Sequence, residues 1–514
     1  QSYNDGVYGT FPTNEYHSAK NFSPAIQVNT WNKQAMSKSG SHILIRHDAF
    51  SDSKNSLDAS PLILSTEDLS AVYLNRSFPG VANVNVQMYE GKPILSFFGG
   101  PIQEDVGFGN GFVFGYDQSY REVGLLAAED LKVGADFHEF VMTGDKTAII
   151  TAYEMIDWDL SPYLSDDDDE DAQEGKLLDC VFQEINLDTF EVLFQWRASE
   201  HIPMDLSYEP ADESEYGWDF FHVTSVQKSQ TGDYLVSAAS MHSIYMIDGT
   251  TGAVKWTLGG KGNDFEELPY PAGRSFSNPL LTMGWQHHAQ FYPGRNEKEF
   301  TVFDNHGVDI NGWGCTENCS RGLHFSLDPD AKRVQLLNEY LHPVGLWSIS
   351  QGSVQVLDNG NVFIGWGRNP AITEHLPGGD CVFDIQFSPW RSPKTDWKSL
   401  DNYRAYKVDW TGRPHWKPDI MGERGRSGGI RIWTSWNGAT EVKEWVLLGS
   451  KKSFDINGAQ KFVTRAQRDG FETSMWVEMS QQARYFRAVA LDARGHILSA
   501  SDIFDIKTRT VTPA

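Results

Sequence analysis

Four times along the chain a short apolar run, a glycine-bearing turn and a second apolar run follow one another. The first unit is His138-Glu139-Phe140-Val141-Met142, turning at Gly144-Asp145 into Ala148-Ile149-Ile150. The second runs from His222 to Ser237 and turns at Gly232-Asp233; the third runs from His288 to Asp304 and turns at Pro293-Gly294; the fourth runs from Ser353 to Trp366 and turns at Asn359-Gly360. Runs of this length joined by such turns pair as antiparallel strands. One hairpin cannot bury both of its faces, so units recurring at roughly 65 to 85 residues are expected to stack on one another. Radial repetition of four-stranded sheets is the β-propeller, and its first strands line a central channel. Histidines that open that strand in successive units therefore point toward one place. Room before Phe137 for two further units brings the expected number of blades to about six.

Composition narrows the function. The formal net charge is -26. That excludes the basic surface that neutralises nucleic-acid phosphates and the basic patches that dock on anionic lipid. No apolar run reaches the roughly 18 residues of a membrane-spanning helix. The chain begins at Gln1 instead of Met, which we read as a cleaved secretory leader, so secretion or the secretory pathway is the expected location. Asn21-Phe22-Ser23 and Asn75-Arg76-Ser77 are acceptor sequons, so Asn21 and Asn75 are candidate glycosylation sites. Four cysteines in such a protein suggest two disulfides. Cys315 and Cys319 are close enough to clip one loop, which leaves Cys180 with Cys381. No histidine or cysteine spacing specifies a metal, and no cofactor is expected.

Three domains are expected. Residues 1–40 are polar and aperiodic and read as an extended arm, residues 41–410 form the propeller, and residues 411–514 form a small β-sandwich. The last begins after the Pro-bearing stretch Arg413-Pro414-His415-Trp416-Lys417-Pro418 and packs several short strands into about 90 residues. The acidic run Asp166 to Asp171 reads as a solvated loop.

The candidate catalytic groups are His138, His222, His287 and His288. Side chains alternate along a strand, so His287 and His288 point to opposite faces and one of them meets the channel. Trp285, Trp366, Asp304, Asn305 and His242 are candidate substrate contacts: two aromatic walls, a polar floor and a further histidine.

Between residues 217 and 307 the chain resembles the arylsulfotransferase (ASST)-like family, in particular its fungal secreted branch. The resemblance rests on His222-Val223-Thr224-Ser225, Gly232-Asp233-Tyr234-Leu235, Ile247-Asp248-Gly249, Trp256-Thr257-Leu258-Gly259-Gly260-Lys261, Gln286-His287 and Phe303-Asp304-Asn305. Outside that stretch it rests on Phe137-His138-Glu139-Phe140, Gln351-Gly352-Ser353-Val354-Gln355 and Ser435-Trp436-Asn437-Gly438. It implies a six-bladed propeller with its site at the channel mouth. In bacterial members it implies sulfuryl transfer between phenols through a sulfated histidine, without a nucleotide donor. Two arginines of the family pattern are replaced here, by Ala239 and Gln290. Neither replacement can clamp an oxyanion as a guanidinium does. The expectation is therefore an enzyme, a monomer, that acts on an aromatic or polyketide-like small molecule of secondary metabolism. Acid–base isomerisation or cyclisation is favoured, with aryl sulfotransfer or a non-catalytic binding propeller as the alternatives.

Overall fold

The computed structural model describes residues 2–9, 11–47, 59–103, 106–144, 146–164, 175–211, 214–306, 319–389, 401–425, 428–452, 461–478 and 483–513. The acidic run after Ser165 and Cys315 lie outside them. The architecture is nearly all-β, with three short 3-10 turns and no α-helix among the described residues.

Among the described residues, six sheets each contain a four-stranded antiparallel meander, and two of them carry a fifth strand. In the order in which they touch, their innermost strands are Tyr406–Val408, Val81–Tyr89, Phe140–Met142, Val223–Lys228, His287–Phe291 and Ser353–Val356. Each sheet contacts the next and the sixth contacts the first, so the set closes into a propeller-like ring. Closure comes from the two ends of the segment: Tyr406–Val408 pairs with His42–His47 and completes a sheet whose other three strands come from the start of the chain.

The burial pattern explains why these strands read as continuous apolar runs. Ile43 and Ile45 enter a core shared with Phe363, Ile372 and Phe383 of the sixth sheet. Leu44, between them, enters a core shared with Val84, Leu95 and Phe97 of the second. Alternate side chains thus face opposite neighbours, and both faces are covered. Separate clusters fill the remaining gaps between neighbouring sheets. Sharp turns close the hairpins: Gly232 and Gly360 adopt φ +90 and +83, which a residue with a Cβ reaches only with strain.

Residues 1–40 are more than an arm laid on a surface. Gln27–Trp31 pairs with Cys381–Gln386 as a fifth, outermost strand of the sixth sheet. That covers an edge that would otherwise present unpaired amides. Farther out, Ser18 donates to Glu472, and Tyr16 packs on Phe471, tying the arm to the C-terminal region. There Asp419–Arg424, Ile430–Ser435 and Glu472–Val477 form one sheet, and Tyr485–Leu491 centres a larger one that includes Glu444–Ser450. The two share one core around Ile432, Trp445, Met475 and Phe486.

The cysteines correct one expectation. Cys180 and Cys381 are free thiols. Cys180 is buried in the third sheet, and its thiol points at the Asp219 carboxylate; Cys381 points at the carbonyl of Phe383. Cys180 lies in the third sheet and Cys381 in the sixth, so the expected Cys180–Cys381 bridge does not form. Cys319 is disulfide-bonded. Asn21 and Asn75 are both half-buried.

Candidate active site

At one end of the ring axis lies a cavity of about 620 Å³. His138, His222 and His287 all line it, each just before or at the start of an innermost strand. Their ligand nitrogens lie within 4.8 Å of one another. Phe137, Trp218 and Trp285 supply apolar walls.

Each imidazole is held from behind. His138 Nδ1 lies 2.7 Å from Asp136 Oδ2, and the His138 ring stacks on Phe137. His222 Nδ1 lies 2.5 Å from Asp219 Oδ2. Asp219 also accepts the backbone N–H of His222, at a residue held in the left-handed region with φ 51. A carboxylate on Nδ1 fixes the tautomer and leaves Nε2 for chemistry. The rings of His138 and His222 meet edge to face, 4.9 Å apart.

The two are shifted in opposite directions. Burial lowers the pKa of His138 below the usual 6.5; Asp136 offsets this in part and His222 adds to it. For His222 burial also works to lower the pKa, but Asp219, with Asp136 and Glu209, outweighs it and the pKa is raised. Their surroundings thus move the pKa of His138 down and that of His222 up. Two like groups with pKa values pushed apart are the signature of an acid–base pair.

His287 is a third wall and carries no open lone pair. Its Nδ1 lies 2.8 Å from the Trp285 carbonyl and 2.9 Å from Asn305 Oδ1. Its Nε2 accepts the backbone N–H of Gln351 at 3.1 Å. Burial, then the two neighbouring histidines, hold its pKa well below 6.5. By spacing the three histidines could converge on an ion, but only His138 and His222 keep Nε2 open. The donor set therefore fits a two-imidazole site better than a three-histidine metal centre.

Other expected residues are placed elsewhere. His288 turns away from the cavity, with Nδ1 accepting Val354 N–H and Nε2 beside the Tyr406 hydroxyl. The register shifts between His287 and Gln290, and His288 itself adopts φ 55. Trp366 is not a wall; it is fully buried between the fifth and sixth sheets and donates to Thr373. Asp304 is not a floor; it is spent in a buried ion pair with Arg321. Asn305 stands behind His287 and donates to the Ser348 and Gln351 carbonyls. His242 stacks on Tyr208 and lies edge-on to Trp285, outside the lining.

Three cavity-side groups escape a sequence reading. Arg46 and Arg368 both line the cavity, and both bind Asp401, which also accepts the Gln351 amide. Arg46 and Arg368 thus bring two guanidinium groups to the cavity from distant parts of the chain. Ala239 lines the cavity, whereas Gln290 does not. Asp136 and Asp219 carried a readable signal: each stands two or three residues before its histidine. Arg46, Arg368 and Asp401 carried none, because ring closure alone brings positions 46 and 401 together.

The family model described as arylsulfotransferase (ASST) matches residues 85–388. No curated protein matches the chain in sequence. Among solved structures, a protein of unknown function from Bacteroides caccae is 11% identical, with 71% of this chain and 98% of that one covered and a TM-score of 0.39. The hydrazine synthase of Kuenenia stuttgartiensis is 12% identical, with 61% and 70% covered and a TM-score of 0.33. A Lactobacillus plantarum protein is 9% identical, with 85% and 100% covered and a TM-score of 0.34. At these values the likenesses decide neither fold nor chemistry.

Proposed function

Because the chain belongs to the arylsulfotransferase (ASST) family, we propose that it is a six-bladed propeller enzyme with a C-terminal β-sandwich that moves protons on an aromatic small molecule. The observation that carries this reading is the His138–His222 pair, two adjacent imidazoles with opposite charge preference at the floor of one cavity. His138 Nε2 removes a proton from a phenol or from carbon beside a carbonyl. His222 Nε2–H delivers a proton to the oxygen or carbon on which negative charge develops. The product is an isomer or a ring-closed isomer of the substrate, with no group lost. His287, Trp285 and Phe137 shape the pocket and keep bulk water off the reacting face. The protein is read as a secreted fungal monomer of secondary metabolism; the disulfide at Cys319 and the two sequons support the secretory part.

A second reading is sulfuryl transfer from an aryl sulfate through a histidine. Family membership favours it, as do Arg46 and Arg368 at the cavity, which suit a sulfuryl oxyanion.

One experiment separates the two. The protein is incubated in deuterated water with a panel of enolisable aromatic ketones and phenols, and in parallel with an aryl sulfate and a phenol acceptor. Proton chemistry gives deuterium uptake or an isomeric product that is lost in His138→Ala and in His222→Ala. A covalent sulfuryl adduct on a histidine, with no deuterium uptake, overturns the first reading in favour of the second. The rate should rise with pH through the lowered pKa of His138 and fall above the raised pKa of His222, so the optimum straddles 6.5.

A further inference from the structure

We propose that the buried Arg404–Glu139 ion pair is the positioning device that holds His138 and His222 in register across two sheets. The proposal rests on the acid–base reading of those histidines.

Arg404 lies directly behind the site and is 2% exposed. One of its terminal nitrogens donates to the carbonyl of His138 at 2.7 Å and to the carbonyl of Thr224 at 2.9 Å. Thr224 is two residues beyond His222, on the neighbouring sheet. A single guanidinium therefore spans the backbone of both catalytic strands. Glu139, adjacent to His138, anchors it from the third sheet at 3.0 and 3.2 Å. Glu139 also accepts the N–H of Val226 on the fourth sheet. The Tyr403 hydroxyl adds a second donor to the His138 carbonyl at 3.0 Å. A buried ion pair is weak evidence for stability, because desolvation offsets much of its attraction; its best-attested use is to fix register. Both terminal nitrogens are engaged at once, one by the two carbonyls and Glu139 Oε2 and the other by Glu139 Oε1, a two-pronged grip on the carboxylate that a lysine does not reproduce.

The groups facing the pair come from several elements. Asp136 and His222 face His138. Asp219, Asp136 and Glu209 face His222, and the Cys180 thiol faces Asp219. His287 closes the third side. If Arg404 sets the spacing, loosening it admits water beneath His138 and frees the imidazole from its burial.

The test is histidine C2 hydrogen exchange followed by mass spectrometry across pH, which reads each imidazole's midpoint and needs no substrate. Wild type is expected to show His138 below and His222 above the ordinary midpoint. Arg404→Lys keeps the charge, so a change in it reports position; the His138 midpoint should rise and the gap between the two should shrink. Glu139→Gln, which releases the guanidinium from its anchor, should act in the same direction and is the variant read if Arg404→Lys does not fold. Tyr403→Phe should give a smaller shift of the same sign. An unchanged gap in folded Arg404→Lys or in Glu139→Gln overturns the positioning role. A wild type without the gap instead overturns the acid–base reading, so the two failures are distinguishable.

Discussion

Replacing His47 by asparagine should remove a specific part of this protein's acid sensitivity. His47 ends the strand His42–His47 and is buried, and its Nδ1 accepts a hydrogen bond from Arg76 at 2.7 Å. Burial, with the Arg76 charge, lowers its pKa from 6.5 to about 3. The folded state therefore keeps this imidazole neutral where the unfolded chain protonates it. With the folded pKa depressed, the contribution is present above the unfolded pKa and is lost as pH falls. At pH 5 the site lies about 1.5 units below the ordinary value, so it costs the fold about 2 kcal/mol relative to pH 7. His42 and His375, each lowered to about 4 with burial as the main cause, behave alike. The three together remove about 6 kcal/mol between pH 7 and pH 5. Asparagine keeps an acceptor for Arg76 and does not titrate. Urea unfolding followed by tryptophan fluorescence at the two pH values should show His47→Asn losing about 2 kcal/mol less than wild type. An identical loss in both proteins would mean that His47 is protonated in the fold, and the reasoning would fail.

Other changes test other parts of the molecule. Asp219→Asn removes the charge that keeps His222 protonated; activity at neutral pH should fall on the order of 10²-fold, and the alkaline limb of the pH–rate profile should move to lower pH. Lys407 and Glu374 are buried against each other at 2.7 Å. Lys407→Met should cost about 3–5 kcal/mol, and adding Glu374→Gln should recover part of that, measured by chemical denaturation. Gly352 has φ +112, and an added Cβ would sit 2.3 Å from the Phe303 ring. Gly352→Ala should therefore lower stability by about 3 kcal/mol or more, read as a fall in Tm. An unchanged Tm would show that the strand can shift to make room.

That His138, His222 and His287 gather at one cavity could be read before the fold, for an identifiable reason. His138 and His222 stand out because a histidine opening an innermost strand must face the axis. Trp366 and Asp304 stand in similar places but do not reach the cavity. Their side chains are taken by Thr373 and Arg321, partners that the sequence does not reveal. His287 does reach the cavity, but the Gln351 amide, 64 positions away, occupies its lone pair.

The amino-acid order by itself determined the local character of the chain. Short continuous apolar runs and left-handed turn glycines specify short antiparallel strands whose two faces both need cover, and strands of that kind stack in repeats. It also placed two histidines and their carboxylates within three residues of each other, so that each pair forms locally. Only the tertiary structure decided what those pairs meet. Closing the ring joins Tyr406–Val408 to His42–His47, which brings Arg46 to Asp401 and slides Arg404 beneath His138 and Thr224. Contacts of this kind join residues hundreds of positions apart and depend on every sheet between them being in register, so no local pattern can encode them.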